Sequence, residues 1–420
     1  MKRIILAVII LLLISEGTGC TLLKKLNIGR KGFAAPLGFM VLLGCMQLLY
    51  YPAQLFNLSF TWIIIPSAVV LAAGCACTLL NIRDVFRSLK SKNTLILLGC
   101  ACFFLFVFSR MYVDMDYSDT ATYLNYVAFN INAPKLNWYD LGNGLRNGEW
   151  NVYYLFQGYF HFASFFCWLV NIPYYLLSAE SMIPVTVVCV WGLGLLYQVL
   201  SGALIINVAG DLPFRNRYIR GAVLLFLLLY SNFFYWDVTF AFYGNTYRGL
   251  YIMLSVYMIY RWMKEDCENM KYLLIPVTAA GLACSSSSLF MGFSVLYSLA
   301  AWLFVSKRKN ALHDMALIIM SMVFYVCAFV SRPHTVLAAA ILIFYILVMV
   351  FWHRSPLSGI MNAVERFLTK YAKEVFFIAV PAVFVIGSFV IHLTEDTFFT
   401  KYAYYLHDFR HLDMITDYLF

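Results

Sequence analysis

The sequence predicts an all-α, polytopic transmembrane helical bundle, and three observations carry that prediction. Hydrophobic residues make up 63% of the 420-residue chain and charged residues only 12%, whereas charged residues alone fill about a quarter of an ordinary soluble domain. The apolar residues fall in runs close to the roughly 20 residues that a helix needs to cross a hydrocarbon core. Strand-length segments of alternating polarity are missing from the sequence, so helices rather than a barrel must satisfy the backbone inside a membrane. The expected architecture is a bundle of about 12–13 spans, with an acidic loop and interfacial helices on its outer face.

The first run opens with Lys2-Arg3, continues apolar from Ile4 to Ile14, and passes through Ser15-Glu16-Gly17-Thr18-Gly19-Cys20, an order shared with secretory and lipoprotein signals. Small residues fill the positions before Cys20 where a lipoprotein signal has a large aliphatic. Cleavage would also strand Lys24, Lys25, Arg30 and Lys31 outside, so the segment reads as a retained helix. Further runs span Phe33 to Tyr51, Thr61 to Leu80, Leu95 to Phe108, Met182 to Val208, Gly221 to Trp236, Gly249 to Trp262, Tyr272 to Cys284, Leu289 to Val305, Ala311 to Val330, Val336 to Trp352 and Val375 to Ile391.

One more run, Tyr153 to Val170, is amphipathic rather than aliphatic, with Tyr153, Tyr154, Gln157, Tyr159, His161 and Trp168. It reads as a re-entrant or interfacial segment that makes no net crossing; three tight crossings between Asn151 and Val208 would give the same parity. With that parity the loops holding Lys24/Lys25/Arg30/Lys31, Arg83/Arg87/Lys90/Lys92, Arg215/Arg217/Arg220, Arg261/Lys264/Lys271, Lys307/Arg308/Lys309 and Arg354/Arg366/Lys370/Lys373 share one side. They gather most of the 30 Lys and Arg residues, which makes that side the inner one. Both termini and the stretch Arg110 to Asn151 then face outward. The net charge of +9 is by this reading an insertion signal, and no nucleic-acid partner is expected.

Three segments follow: N-terminal membrane helices at 1–93, a core at 94–391 that contains the outer loop 110–151, and a short extracytoplasmic tail at 392–420. The 11 cysteines sit nearly all inside apolar runs and show neither metal-ligand spacing nor a disulfide framework. No metal and no other cofactor is expected.

The polar stretch Arg110 to Asn151 interrupts the hydrocarbon pattern and holds Asp114, Asp116, Asp119, Asp140 and Glu149. Asp114, Asp116 and Asp119 stand where a membrane helix meets water. Such crowding of like charges raises at least one pKa, a condition that a general base exploits. An N-cap needs only one acceptor, and Ser118 or Asp119 could cap a helix over Thr120 to Asn130. On the same outer face Arg248 ends an aromatic segment, Phe233 to Tyr247, and enters a helix; its guanidinium suits two-point contact with a phosphate. Arg332-Pro333-His334 supplies a second candidate anion contact. The Trp and Tyr rings fit interfacial anchoring, and equally stacking on sugar faces.

A membrane helix ending at Phe108, the acidic motif Asp114-Met115-Asp116 with Asp119, and interfacial segments up to Val170 together resemble the GT-C superfamily of membrane glycosyltransferases, which take sugars from polyprenyl-phosphate carriers. The resemblance covers roughly Leu95 to Val305; three spans precede the acidic loop where that superfamily usually has one. It implies an enzyme of the bacterial plasma membrane in which Asp114 or Asp116 is the catalytic carboxylate and Arg248 a ligand of the donor phosphate. The implied partners are a polyprenyl-phosphate-linked sugar, a glycan, lipid or protein acceptor, and the surrounding lipids. Two other readings stay open. One is a polysaccharide polymerase or ligase resembling the Wzy type, which leans on outer-loop arginines. The other is a transporter or flippase of lipid-linked glycans, which calls for charges within midplane helices and inverted repeats; the spans here hold almost no such charges.

Overall fold

The computed structural model describes residues 1–28, 33–91, 94–99, 101–103, 118–139, 157–177, 181–212, 216–229, 242, 244–284, 288–330, 340, 343–344, 346–347, 351 and 358–393. Regular structure among them is helical. The chain divides into two compact units, 1–295 with 317–346, and 296–316 with 347–420. Four helices among the described residues are long and apolar enough to cross a membrane: α1 (Lys2–Lys25), α2 (Ala34–Leu55), α3 (Thr61–Leu80) and α8 (Val185–Asp211). This is a membrane protein by the length and composition of its helices.

The core of the first unit is built from α1, α2 and α3 with α11 (Met270–Cys284). Small residues let these backbones touch, the usual basis of helix association where lipid is as apolar as leucine. A Cβ at Gly38 would overlap the Ser15 carbonyl oxygen of α1, and one at Gly44 the Pro276 carbonyl oxygen of α11. Hydroxyls enter this apolar interior by donating to the carbonyl four residues back: Ser15 to Leu11 at 2.7 Å, Thr18 to Ile14 at 2.8 Å and Thr21 to Gly17 at 2.8 Å. Asn81, after α3, donates to the Thr21 Oγ1 at 2.6 Å and so ties α3 to α1. Glu16, within the first span, accepts from the Cys20 thiol at 3.7 Å and has further partners in Ser88 and the Ala35 backbone.

Helix ends follow a shared chemistry. Asn27 and Asn57 take left-handed φ values of 55° and 48° just past α1 and α2. The next residues close the turn, Ile28 donating to the Leu23 carbonyl at 2.8 Å and Leu58 to the Ala53 carbonyl at 2.9 Å. These are Schellman terminations, and asparagine is the side chain that tolerates the position best after glycine.

After α4 (Ile82–Leu89), the first unit continues with α5 (Ser118–Asn132), α6 (Gly158–Val170), α7 (Ile172–Leu177), α8, α9 (Arg217–Leu229) and α10 (Gly244–Glu265). Two features add to the sequence reading. The amphipathic run ending at Val170 forms α6, which protein buries along nearly its whole length, His161 and Ser164 included. Its polar groups are paired inside rather than turned to water. Arg261, expected in an inner loop, belongs to the last turns of α10 and is only 1% exposed. Its guanidinium bonds to Glu265 at 2.5 Å and lies 5.4 Å from the centre of the Phe33 ring. The i,i+4 pair and the aromatic contact carry the helix past the apolar run.

The chain enters the second unit within α12 (Ser288–Val305) and leaves it within α13 (Ala311–Val330). It returns for α14 (Ser358–Lys370) and a helical segment at 372–393 with π-type hydrogen bonding at Val375–Ala379. Phe376 holds this unit together, stacking on Phe304 at 5.6 Å and accepting a hydrogen bond from the Tyr297 hydroxyl at its carbonyl oxygen.

Candidate functional site

Several helix ends meet inside the first unit instead of at its periphery. Gly158, the first residue of α6, sits against the Gln47 side chain and the Tyr50 ring, level with the interior of α2. Gly244, the first residue of α10, lies against the last residue of α11: a Cβ there would overlap the Cys284 carbonyl oxygen and would come 3.6 Å from the Tyr159 ring. The N-termini of α6 and α10 are therefore neighbours, and each contributes the partial positive charge of unsatisfied N–H groups. Helices that begin at the depth of others, next to irregular backbone, typically line a cavity in membrane proteins.

An aromatic cluster joins these ends. Tyr123 of α5 stacks on Phe160 at 4.9 Å, and Phe160 meets Phe242 edge-on at 5.8 Å. Tyr159 stacks on Phe242 at 5.7 Å and packs on Tyr247 of α10 at 5.0 Å. Tyr247 in turn meets Tyr197 of α8 at 5.6 Å and Phe39 of α2 at 5.5 Å. Its hydroxyl donates to the Leu193 carbonyl at 2.7 Å, where a π-helical stretch, Val188–Leu193, interrupts α8. Such π-turns are frequent at functional sites because they re-aim backbone carbonyls.

Of the candidate residues, Arg248 follows Tyr247 directly in α10, is half-buried, and is close enough to Cys284 for its charge to act on the sulfur. Asp119 occupies the first turn of α5, one helical turn before Tyr123. The ring cluster thus brings together the helix that carries Asp119 and the helix that carries Arg248. Asp114, Asp116, Arg332 and His334 lie outside the described residues.

A second cluster was not legible as a unit. His161 is fully buried, with its Nδ1 3.1 Å from the Asn130 Nδ2. Asn130 also reaches the Ser164 Oγ at 3.3 Å, and the rings of Tyr126 and Tyr50 pack on the imidazole at 5.6 and 6.0 Å. Gln47 donates to Gln54 at 3.2 Å inside the same region of α2. Three buried polar atoms of these residues, the Asn130 Oδ1, Gln47 Oε1 and Gln54 Nε2, have no hydrogen-bond partner in the protein, and neither has the Thr120 Oγ1 in the first turn of α5. Each such group costs about 1–3 kcal/mol, which polar contacts from a ligand or water would offset. The lone histidine in an apolar run was the only signal in the sequence.

Among the described residues no group of three or more His, Cys, Asp or Glu side chains is placed to hold a metal ion. The arrangement combines helix N-termini and a half-buried guanidinium, which attract anions, with a buried ring cluster and buried polar atoms that lack a protein hydrogen bond, which suit a ligand bearing hydroxyls. No protein-family profile, no curated protein and no solved structure matches this chain.

Proposed function

We propose that this protein is a membrane glycosyltransferase of the GT-C kind, transferring a sugar from a polyprenyl-phosphate donor to a glycan, lipid or protein acceptor of the cell envelope. The observation that supports this reading best is the aromatic cluster of Tyr123, Phe160, Tyr159 and Tyr247, which links the end of the acidic segment at Asp119 to the start of the helix bearing Arg248. In the proposed reaction the acceptor hydroxyl oxygen forms its bond to the anomeric carbon while the bond from that carbon to the donor phosphate breaks. The proton passes to Asp114 or Asp116, and the electron pair leaves with the phosphate, which Arg248 receives together with Arg332 and His334. Asp119 orients the acidic segment from the first turn of α5.

The membrane arrangement belongs to the same proposal: about 12–13 spans in a bacterial plasma membrane, with the acidic loop 110–151 and both termini outside. The test is transfer of label from a polyprenyl-phosphate sugar to an acceptor by purified protein in nanodiscs, with lipid mass spectrometry of the protein as isolated. Polyprenyl-phosphate bound by the wild type and lost in Arg248→Ala is the expected result. A protein that carries no such lipid and transfers no sugar from any of a panel of polyprenyl donors would overturn it.

A further inference from the structure

The second unit carries a cleft unrelated to the site above. It has a volume of about 780 Å³ and is lined by Lys307, Arg308, Lys309, Glu365, Arg366 and Lys370, among others. Five of these six side chains are cationic. Two separate segments deliver them: the turn between α12 and α13, and α14. The bias of basic residues toward one side of a membrane asks only that they lie somewhere in their loops; it does not require two loops to line one cleft.

The details favour a built site. Glu365, the single carboxylate among the six, accepts from the backbone N–H of Ala311, the first residue of α13, at 3.1 Å, so its charge serves a helix N-terminus. That bond also fixes α14 against the turn. Arg308 is held over the Trp302 ring at 5.2 Å and Lys370 over the Tyr371 ring at 4.9 Å. Lys307 takes a left-handed φ of 52° in a Schellman turn closed by Arg308 N–H to Leu303 at 2.9 Å, the position that asparagine fills after α1 and α2. A lysine there costs about 1–2 kcal/mol of backbone strain, which a cation needed at that place would justify.

The other face of α14 supplies the second half of the argument. Ile360, Val364, Phe367 and Tyr371 recur at spacings of four, three and four, all exposed, with Ile360 at 59% and Phe367 at 56%; no residue of α14 is buried. A helix with one apolar stripe open and cations on its other side lies in a membrane interface, the stripe among acyl chains and the cations at headgroup level. We infer that this cleft binds the phosphate headgroup of an anionic membrane phospholipid, with α14 lying in the interface beside it.

The experiment uses the full chain, purified and exchanged into nanodiscs of mixed phosphatidylglycerol and phosphatidylcholine, with retained lipid counted by native mass spectrometry. Phosphatidylglycerol should be retained preferentially. Combining Lys307→Gln, Arg308→Gln and Arg366→Gln should reduce that preference by ~10-fold or more, with phosphatidylcholine retention unchanged. Phe367→Gln, which keeps every cation, should weaken it as well. On the unaltered protein, raising salt from low to molar concentration should release the anionic lipid, which needs no variant to fold. Equal retention of both lipids, or indifference to salt, would overturn the inference. Release of the lipid by millimolar inorganic phosphate, with a matched chloride increase inert, would overturn it too and assign the cleft to a free anion.

Discussion

The Tyr247 hydroxyl donates to the Leu193 carbonyl oxygen at 2.7 Å, and that bond ties the first turn of α10 to the π-turn of α8. Arg248 is the next residue along, so the bond bears on its placement. In Tyr247→Phe the ring contacts with Tyr159, Tyr197 and Phe39 persist while a buried carbonyl loses its hydroxyl donor. A loss of about 1–2 kcal/mol is expected, visible as a lower midpoint in thermal unfolding of the detergent-solubilised protein. If Arg248 grips the donor, the same variant should weaken donor binding more than it slows turnover of bound donor. Full retention of donor affinity would separate the bond from the site.

Arg248→Lys keeps the charge and loses the planar fork, so donor affinity should fall, and Arg248→Ala should lower it further. Binding of fluorescent polyprenyl-phosphate analogue to purified protein reads this directly. Unchanged affinity in the alanine variant would reduce Arg248 to an interfacial anchor.

The acidic segment makes a graded prediction. Asp114→Asn or Asp116→Asn should cost ~10²-fold or more in transfer rate through loss of the base, with donor binding intact. Asp119→Asn, a change within the first turn of α5 rather than at the proposed base, should be milder. Parent-like turnover in both Asp114→Asn and Asp116→Asn would leave the segment a plain interfacial loop and favour the transporter reading.

Sidedness can be checked without any substrate. A cysteine replacing Asn143 should react with an impermeant maleimide in intact cells, and one replacing Ser88 should react only after permeabilisation. The opposite pattern would place the acidic loop inside and remove the proposed catalytic arrangement.

Close helix contact makes the last prediction. Gly44→Leu forces a side chain onto the Pro276 carbonyl and should destabilise the first unit by about 1–3 kcal/mol or more. Gly221→Ala, where a Cβ meets nothing within 4 Å, should be neutral or stabilising by up to about 1 kcal/mol. The comparison is of folded yield and unfolding midpoint in one detergent.

The membrane helices were legible in the sequence because their signal is length and hydrophobicity, both local quantities. The run Thr61 to Leu80 coincides with α3, and the helix expected over Thr120 to Asn130 is observed at Ser118–Asn132. The run Phe33 to Tyr51 ends short of α2, which continues through Pro52 to Leu55 and stops at the left-handed Asn57. What stayed hidden depends on pairing across the chain. Arg261 looked like loop charge because Phe33 lies far from it in sequence. His161 showed no partner because Asn130 is on a different helix. Of the candidate site, the sequence marked Arg248 and Asp119 by charge alone; the ring cluster that relates them joins five segments of the chain, and no periodicity announces it.

The burial of Arg261 bears on how the protein is made. A guanidinium is costly in hydrocarbon until something answers its charge. Glu265 travels with it on the same helix, but Phe33 precedes α2, and Tyr257, which packs on Phe33 at 5.3 Å, donates to Asp211 at the end of α8. When α10 leaves the ribosome, both outside contributors have already been synthesised. Its C-terminal end can therefore seat into a prepared socket, and assembly of the first unit can proceed in chain order, with α10 locking helices that were inserted before it.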